Sequence, residues 1–128
     1  MQELHLYEYA TIRLVPRVDR EEFINVGVIV YCKATGYLDC KYHLNLERIH
    51  CLAVNEINTK EITAHLNSFV AIARGEKSEH PVSKLDPASR FRWLTAIRST
   101  IIQSSRIHPG RAMDPKMAFQ DLFEKMVL

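Results

Sequence analysis

Glycine is scarce in this chain: four residues in 128, widely separated. They cannot supply the glycine-rich loop that cradles phosphate through successive backbone N–H groups. Cysteine is scarcer still, at three. An odd count argues against a disulfide framework, and no C-x2-C pair exists to start a zinc site. Charge of one sign is also missing. Seventeen Lys+Arg face fifteen Asp+Glu, a net charge of +2, so no global field recruits nucleic acid and such a partner is not indicated. No apolar run approaches the roughly 18 to 20 residues that span a bilayer, and the N-terminus has no signal-peptide core. No membrane partner is therefore expected, and the expected location is the cytoplasm. No serine, threonine or cysteine sits in a nucleophile elbow or beside an evident base. No cofactor and no metal are implied.

The remaining composition, 47% apolar and 25% charged, is that of an ordinary globular domain. A single domain over residues 1–128 is expected, burying roughly two thirds of its unfolded surface. From His5 to Val15 the pattern alternates with period two. Leu6, Ala10, Ile12 and Leu14 fall on one face; Tyr7, Tyr9, Thr11, Arg13 and Val15 fall on the other. Pro16 stops the run, since proline cannot donate to a ladder. Val26 to Cys32 is continuously apolar and β-branched, which suits a central strand covered on both faces. Between them a solvated connection is predicted, with Phe23 and Ile24 tucked under it.

Gly36 marks a hairpin turn. Tyr37 to Leu44 alternates next, Leu38, Cys40, Tyr42 and Leu44 inward and Tyr37, Asp39, Lys41 and His43 outward. A loop of two or three residues pairs Cys32 with Asp39 or Leu38, so Cys32 and Cys40 do not face each other, and reduced, buried thiols are expected. Leu46 to Val54 reads as a short helix burying Ile49, Leu52 and Ala53. Asn58 and Glu61 have capping-box spacing ahead of Ile62, Leu66, Phe69, Val70 and Ala73, a helical face that Gly75 closes. Glu76 to Lys84 reads as a mobile surface loop. Asp86-Pro87 opens another turn or two of helix anchored by Phe91, Trp93 and Leu94. Thr100 to Ile107 reads as a strand. Asp114-Pro115 opens a final helix with Ala118, Phe119, Leu122, Phe123 and Met126 inward. The expected fold class is α+β: an antiparallel sheet of about four strands packed against two longer helices plus short helical turns. Ile12, Val28, Val30, Leu44, Leu66, Phe69, Trp93, Leu122 and Phe123 are expected to share one core.

Three blocks carry a family resemblance. Tyr7 to Cys32 reads YEYATIRLVPRVDREEFINVGVIVYC, Arg90 to Gln103 reads RFRWLTAIRSTIIQ, and Asp114-Pro115 starts the last helix. Together they resemble a bacterial family of small proteins catalogued as a domain of unknown function and numbered three-zero-three-seven. The resemblance covers nearly the whole chain and brings no catalytic residue with it. It implies a neighbour, because members are often encoded beside a HipA-type kinase-like protein.

The arginines are the strongest candidates for function. Arg13, Arg17 and Arg20 surround the end of the first strand, with Asn25 beyond them; Arg90, Arg92 and Arg98 flank Trp93. Guanidinium is a rigid fork suited to carboxylate or phosphate. If the two blocks meet in space, they form an anion- or partner-binding face beside an aromatic ring; otherwise they pair with Glu8, Glu21, Glu22 and Asp86 on a solvated surface. Asn25 either bonds local backbone or projects into that face. Asp39 and Lys41 make a D-x-K pair of the kind metal-dependent nucleases carry. The further acids such a site requires sit in a loop, so that reading is set aside. Cys40, His43, His50, Cys51 and His65 share a region, but their spacings point them apart. Two hypotheses remain. One is a non-enzymatic interaction or accessory module for a protein partner, the kinase-like neighbour being the candidate. The alternative is a small enzyme or nucleotide- or phosphate-ligand binder using Arg13, Arg17, Arg20 and Asn25.

Overall fold

The computed structural model describes residues 3–52 and 57–128. The period-two run forms β1 (His5–Leu14), and Pro16 follows just beyond its end. The β-branched run forms β2 (Ile24–Cys32), buried throughout except at Asn25. After the Lys33–Gly36 turn comes β3 (Tyr37–Tyr42), then α1 (Leu46–Leu52) and α2 (Thr59–Arg74). A 3-10 turn at Pro81–Lys84 leads to α3 (Pro87–Leu94), β4 (Ile102–Ser104), β5 (His108–Ala112) and α4 (Pro115–Met126). The fold is α+β with a wholly antiparallel sheet, as expected.

Five strands make a sheet only four strands wide, because β4 and β5 lie end to end along one edge of β1. β5 pairs with His5 to Tyr9, and β4 pairs with Ile12 to Leu14. Thr11 falls at the seam. Ser105 closes it: its Oγ accepts from the Thr11 N–H at 2.9 Å, and its own N–H donates to the Thr11 carbonyl at 2.9 Å. A buried amide left unpaired there would cost about 1–3 kcal/mol. β5 is a strand beyond those expected from the sequence, because Pro109 and Gly110 are poor strand residues. Proline is tolerated because β5 lies at the sheet edge. Glycine is required because the Tyr7 ring lies across Gly110, where any Cβ would collide with it. The strand expected over Thr100 to Ile107 shortens to β4, with Ile101 exposed.

The sheet is a middle layer with a core on each side, which corrects the expectation of one core. Ile12, Leu66 and Phe69 pack under α2 and α3, with Leu44 and Trp93 at the margin. Val28, Val30 and Phe123 pack under α4, with Leu122 at the margin. A bulge explains how β2 serves both. Ile12 pairs with Gly27 and Arg13 with Asn25, so Val26 is an extra residue. Ile24 and Val26 therefore share the α2 side with Ile29 and Tyr31, across a break in the alternation.

The predicted helix ends are largely present. Asn58 Oδ1 accepts from the Glu61 N–H at 3.1 Å, and Gly75 ends α2 at φ 71°. Asp114 Oδ1 caps α4 through the Lys116 N–H at 3.0 Å. The expected mobile loop over Glu76 to Lys84 instead contains the 3-10 turn, held by the His80 imidazole and by buried Val82. The expected burial of Ala53 and the helix end at Val54 lie outside the described residues. Cys32 pairs with Tyr37, not with Leu38 or Asp39, because the turn has four residues. All three cysteines are free; Cys32 and Cys40 are buried as expected, but Cys51 is exposed.

Candidate functional site

The six arginines separate into three situations. Arg90 and Arg98 are tied to helix ends. Arg90 is buried and donates through Nη1 to the carbonyls of Ile72 and Ala73, at 2.7 and 3.2 Å, in the last turn of α2. The expectation that Arg90 contributes to a surface is thereby corrected: α2 ends over α3, and the guanidinium fills the gap. Arg98 donates to the carbonyls of Trp93 (2.6 Å), Leu94 (3.0 Å) and Ala96 (3.3 Å) at the end of α3. Its guanidinium carbon also lies 4.6 Å from the Trp93 ring centroid and 5.3 Å from that of Phe69. Burial holds its pKa below the usual arginine value.

Arg17 and Arg20 are exposed and each grips an acid two residues away, Asp19 and Glu22, at 2.5 Å. Arg92 is exposed and donates to Ser89 Oγ at 3.4 Å. Trp93 is half-buried, edge-on to His80 at 5.1 Å between ring centroids.

Arg13 stands apart. The bulge sets it opposite Asn25 on one side and Gln103 on the other, a polar row across β2, β1 and β4. Among the described residues neither Arg13 Nε nor Asn25 Oδ1 has a hydrogen-bond partner, although both atoms are buried; Arg90 Nε is in the same position. The guanidinium carbon sits 4.0 Å over the Phe23 ring. Phe23 is therefore not tucked under the connection as predicted; it is exposed and covers Arg13, while Ile24 alone goes inward. Burial, and then the neighbouring charge of Arg106, lower the Arg13 pKa.

Arg13 and Arg98 meet, one from each sequence block, in a cleft of about 360 Å³ lined also by Val18, Glu21, Phe23 and Ile97. Arg17, Arg20, Asn25, Arg90, Arg92 and Trp93 are not among its lining residues. Glu21 reaches the cleft from a left-handed backbone, φ 56°, where the connection folds back. Among the described residues neither Arg13 nor Arg98 has a carboxylate within salt-bridge reach. A second cleft of about 450 Å³ adjoins the first, sharing Val18 and Ser99 and adding His65 and Ile101. Burial, then the Arg98 charge, keep the His65 pKa below its ordinary value.

Apolar side chains around these clefts face solvent. Ile97 is 99% exposed, and Val18, Phe23 and Ile101 are each exposed as well. Sequence patterning expected Phe23 under the connection and Ile101 within a strand, and it passes over Val18 and Ile97, which lie outside any strand or helix period.

The arrangement defines a class: an α+β domain presenting an apolar surface around two guanidinium groups that lack carboxylate partners. The chain belongs to the family described as protein of unknown function (DUF3037), whose model matches residues 9–127. Neither a curated protein nor a solved structure matches the chain. No helix among the described residues is long and apolar enough to cross a membrane.

Proposed function

We propose that this protein is a non-enzymatic interaction module whose Arg13–Arg98 surface receives an acidic, apolar segment of a protein partner. One observation carries the reading. The fully exposed Ile97, with Val18, Phe23 and Ile101, surrounds two half-buried guanidinium groups that lack carboxylates. An exposed apolar patch rimmed by charge is the usual mark of a protein contact. Arginine and aromatic residues anchor such contacts. A partner carboxylate would pair with the Arg13 guanidinium, whose Nε is unpartnered among the described residues, while its apolar neighbours cover Ile97 and Ile101. The charged and polar lining of the first cleft is Glu21, Arg13, Arg98, Ser99 and Gln103, with no paired acid and base for proton transfer. That favours binding over catalysis. The family resemblance supplies the partner to try first, the HipA-type kinase-like protein encoded beside members.

Co-expression of the two proteins, followed by calorimetric titration, tests this. A stable complex is expected, weakened at least tenfold by Ile97→Asp and by Arg13→Glu, with melting of the free variants unchanged. Equal affinity for wild type and both variants overturns the assigned surface.

A further inference from the structure

A second charged cleft lies between β3 and α4, and it contains the D-x-K pair. Tyr37, Asp39 and Lys41 do not simply face solvent, because α4 covers that face of β3. They line a cleft of about 240 Å³ with Arg74, Lys116, Phe119, Gln120 and Phe123. Asp39 supports no metal chemistry here; it is held by Arg74 Nε at 3.0 Å and by the Cys40 N–H at 2.8 Å. The bond to Asp39 fixes Arg74 along the cleft, and among the described residues its Nη groups make no hydrogen bond. Lys41 rests 4.7 Å over the Phe123 ring, and neither Lys41 nor Lys116 has a carboxylate partner among the described residues.

Charge and size define what would fit. Three cations and one carboxylate line the cleft, so its lining carries an excess of two positive charges. Asp114, which caps the start of α4 on the Lys116 N–H, and Glu76 near Arg74 offset part of it from outside the lining. Two lysines and the free edge of an arginine, coming from three different elements, offer donors to a three-oxygen dianion better than to a flat carboxylate. The Tyr37 hydroxyl adds a donor that stays protonated: burial, then Asp39 and Asp114, push its pKa up to about 12. Tyr37 and Phe119, edge to face at 6.4 Å, give the cleft an aromatic wall. The volume falls below the roughly 300 Å³ at which pockets for drug-sized ligands begin.

We propose that the Lys41–Arg74–Lys116 cleft binds the phosphomonoester dianion of a small ligand, with its organic group against Tyr37 and Phe119. This goes beyond the partner surface and shares no lining residue with it. Inorganic phosphate and phenyl phosphate serve as probes, titrated by calorimetry or by NMR of the intact chain at low salt. Both should bind, phenyl phosphate the more tightly, and both more weakly as salt rises. Lys41→Gln and Lys116→Gln should each weaken binding about tenfold, the scale of one charge-assisted hydrogen bond. The double variant should melt as wild type and should still bind the kinase-like partner if that complex forms. Wild-type affinity in the double variant, or no binding of either probe to wild type, overturns the proposal. Equal affinity for the two probes overturns the aromatic part and leaves a site for free phosphate. The probe titrations do not involve the Arg13–Arg98 surface, so the two proposals fail separately.

Discussion

The two arginine blocks look alike in sequence and are used in opposite ways. In the first block, Arg17 and Arg20 stand in an exposed connection and each finds an acid two residues away. In the second, Arg90 and Arg98 find no acid and donate instead to backbone carbonyls at the ends of α2 and α3. A helix leaves its last four carbonyls without partners, and a buried helix end needs a donor from elsewhere. Guanidinium near such an end is drawn inward; guanidinium in a solvated turn pairs locally and stays out. Arg13 lies between these cases. It is half-buried on a strand with its guanidinium over the Phe23 ring, and among the described residues nothing takes up its Nε, as nothing takes up that of Arg90.

The largest effect is expected at Arg90. Arg90→Ala takes the side-chain donor from the Ala73 carbonyl, leaves the Ile72 carbonyl with the Gly75 N–H alone at 3.1 Å, and opens space beneath Gly75. About 2–4 kcal/mol of stability should be lost, seen in denaturant unfolding. Arg90→Met should recover the packing but not the hydrogen bonds, and so fall between Ala and wild type. If Arg90→Ala unfolds like wild type, the inward use of the second block is wrong.

These contrasts show what the sequence could reveal. Strand alternation, the Asn58 and Asp114 caps and the Gly75 stop are local signals, and they are present in the fold. The two-sided core was partly visible in the unbroken apolar run of β2, but assigning α4 to the opposite face needs the tertiary arrangement. β5 was hidden because Pro109 and Gly110 are acceptable only beside an edge and under the Tyr7 ring. The meeting of Arg13 with Arg98 rests on a β1–β4 pairing that brings residues some ninety positions apart together. The exposure of Ile97 has no periodicity behind it at all.

Arg98 should come next in effect. Arg98→Ala removes three carbonyl contacts and two ring contacts at a half-buried position, and about 1–2 kcal/mol is expected. It also tests a titration. The folded His65 pKa is depressed, first by burial and then by Arg98. The unfolded chain therefore binds the proton more readily, so His65 contributes stability above about pH 6.5 that is lost as pH falls through its lower folded value. In Arg98→Ala the His65 pKa should move upward by NMR titration, and this part of the acid sensitivity should shrink. An unmoved pKa would leave burial as the whole cause.

Arg13→Ala isolates the middle case. The Phe23 contact is exposed and worth about 0.5–1 kcal/mol, while an unpartnered buried nitrogen disappears with the side chain. Stability should change little in chemical unfolding, whereas affinity for the partner should fall. A large stability loss with full affinity would place Arg13 with Arg90 as a structural residue.

The smallest effect belongs to Arg17 and Arg20. Both are exposed, both are paired within the connection, and neither lines the Arg13–Arg98 cleft. Exposed ion pairs contribute little because water screens them and long side chains lose freedom on pairing. Arg17→Ala with Arg20→Ala should leave the melting temperature unchanged. Removing both shifts the rim of the proposed surface by two charges, so association should slow and the remaining rate should depend less on salt. Dissociation should hold its wild-type rate, since rim charges steer encounter more than they hold a complex together. Stopped-flow association at two salt concentrations separates these quantities. Faster dissociation in the double variant would mean that the exposed arginines enter the contact itself, and the boundary drawn between them and Arg13 would have to move outward along the connection.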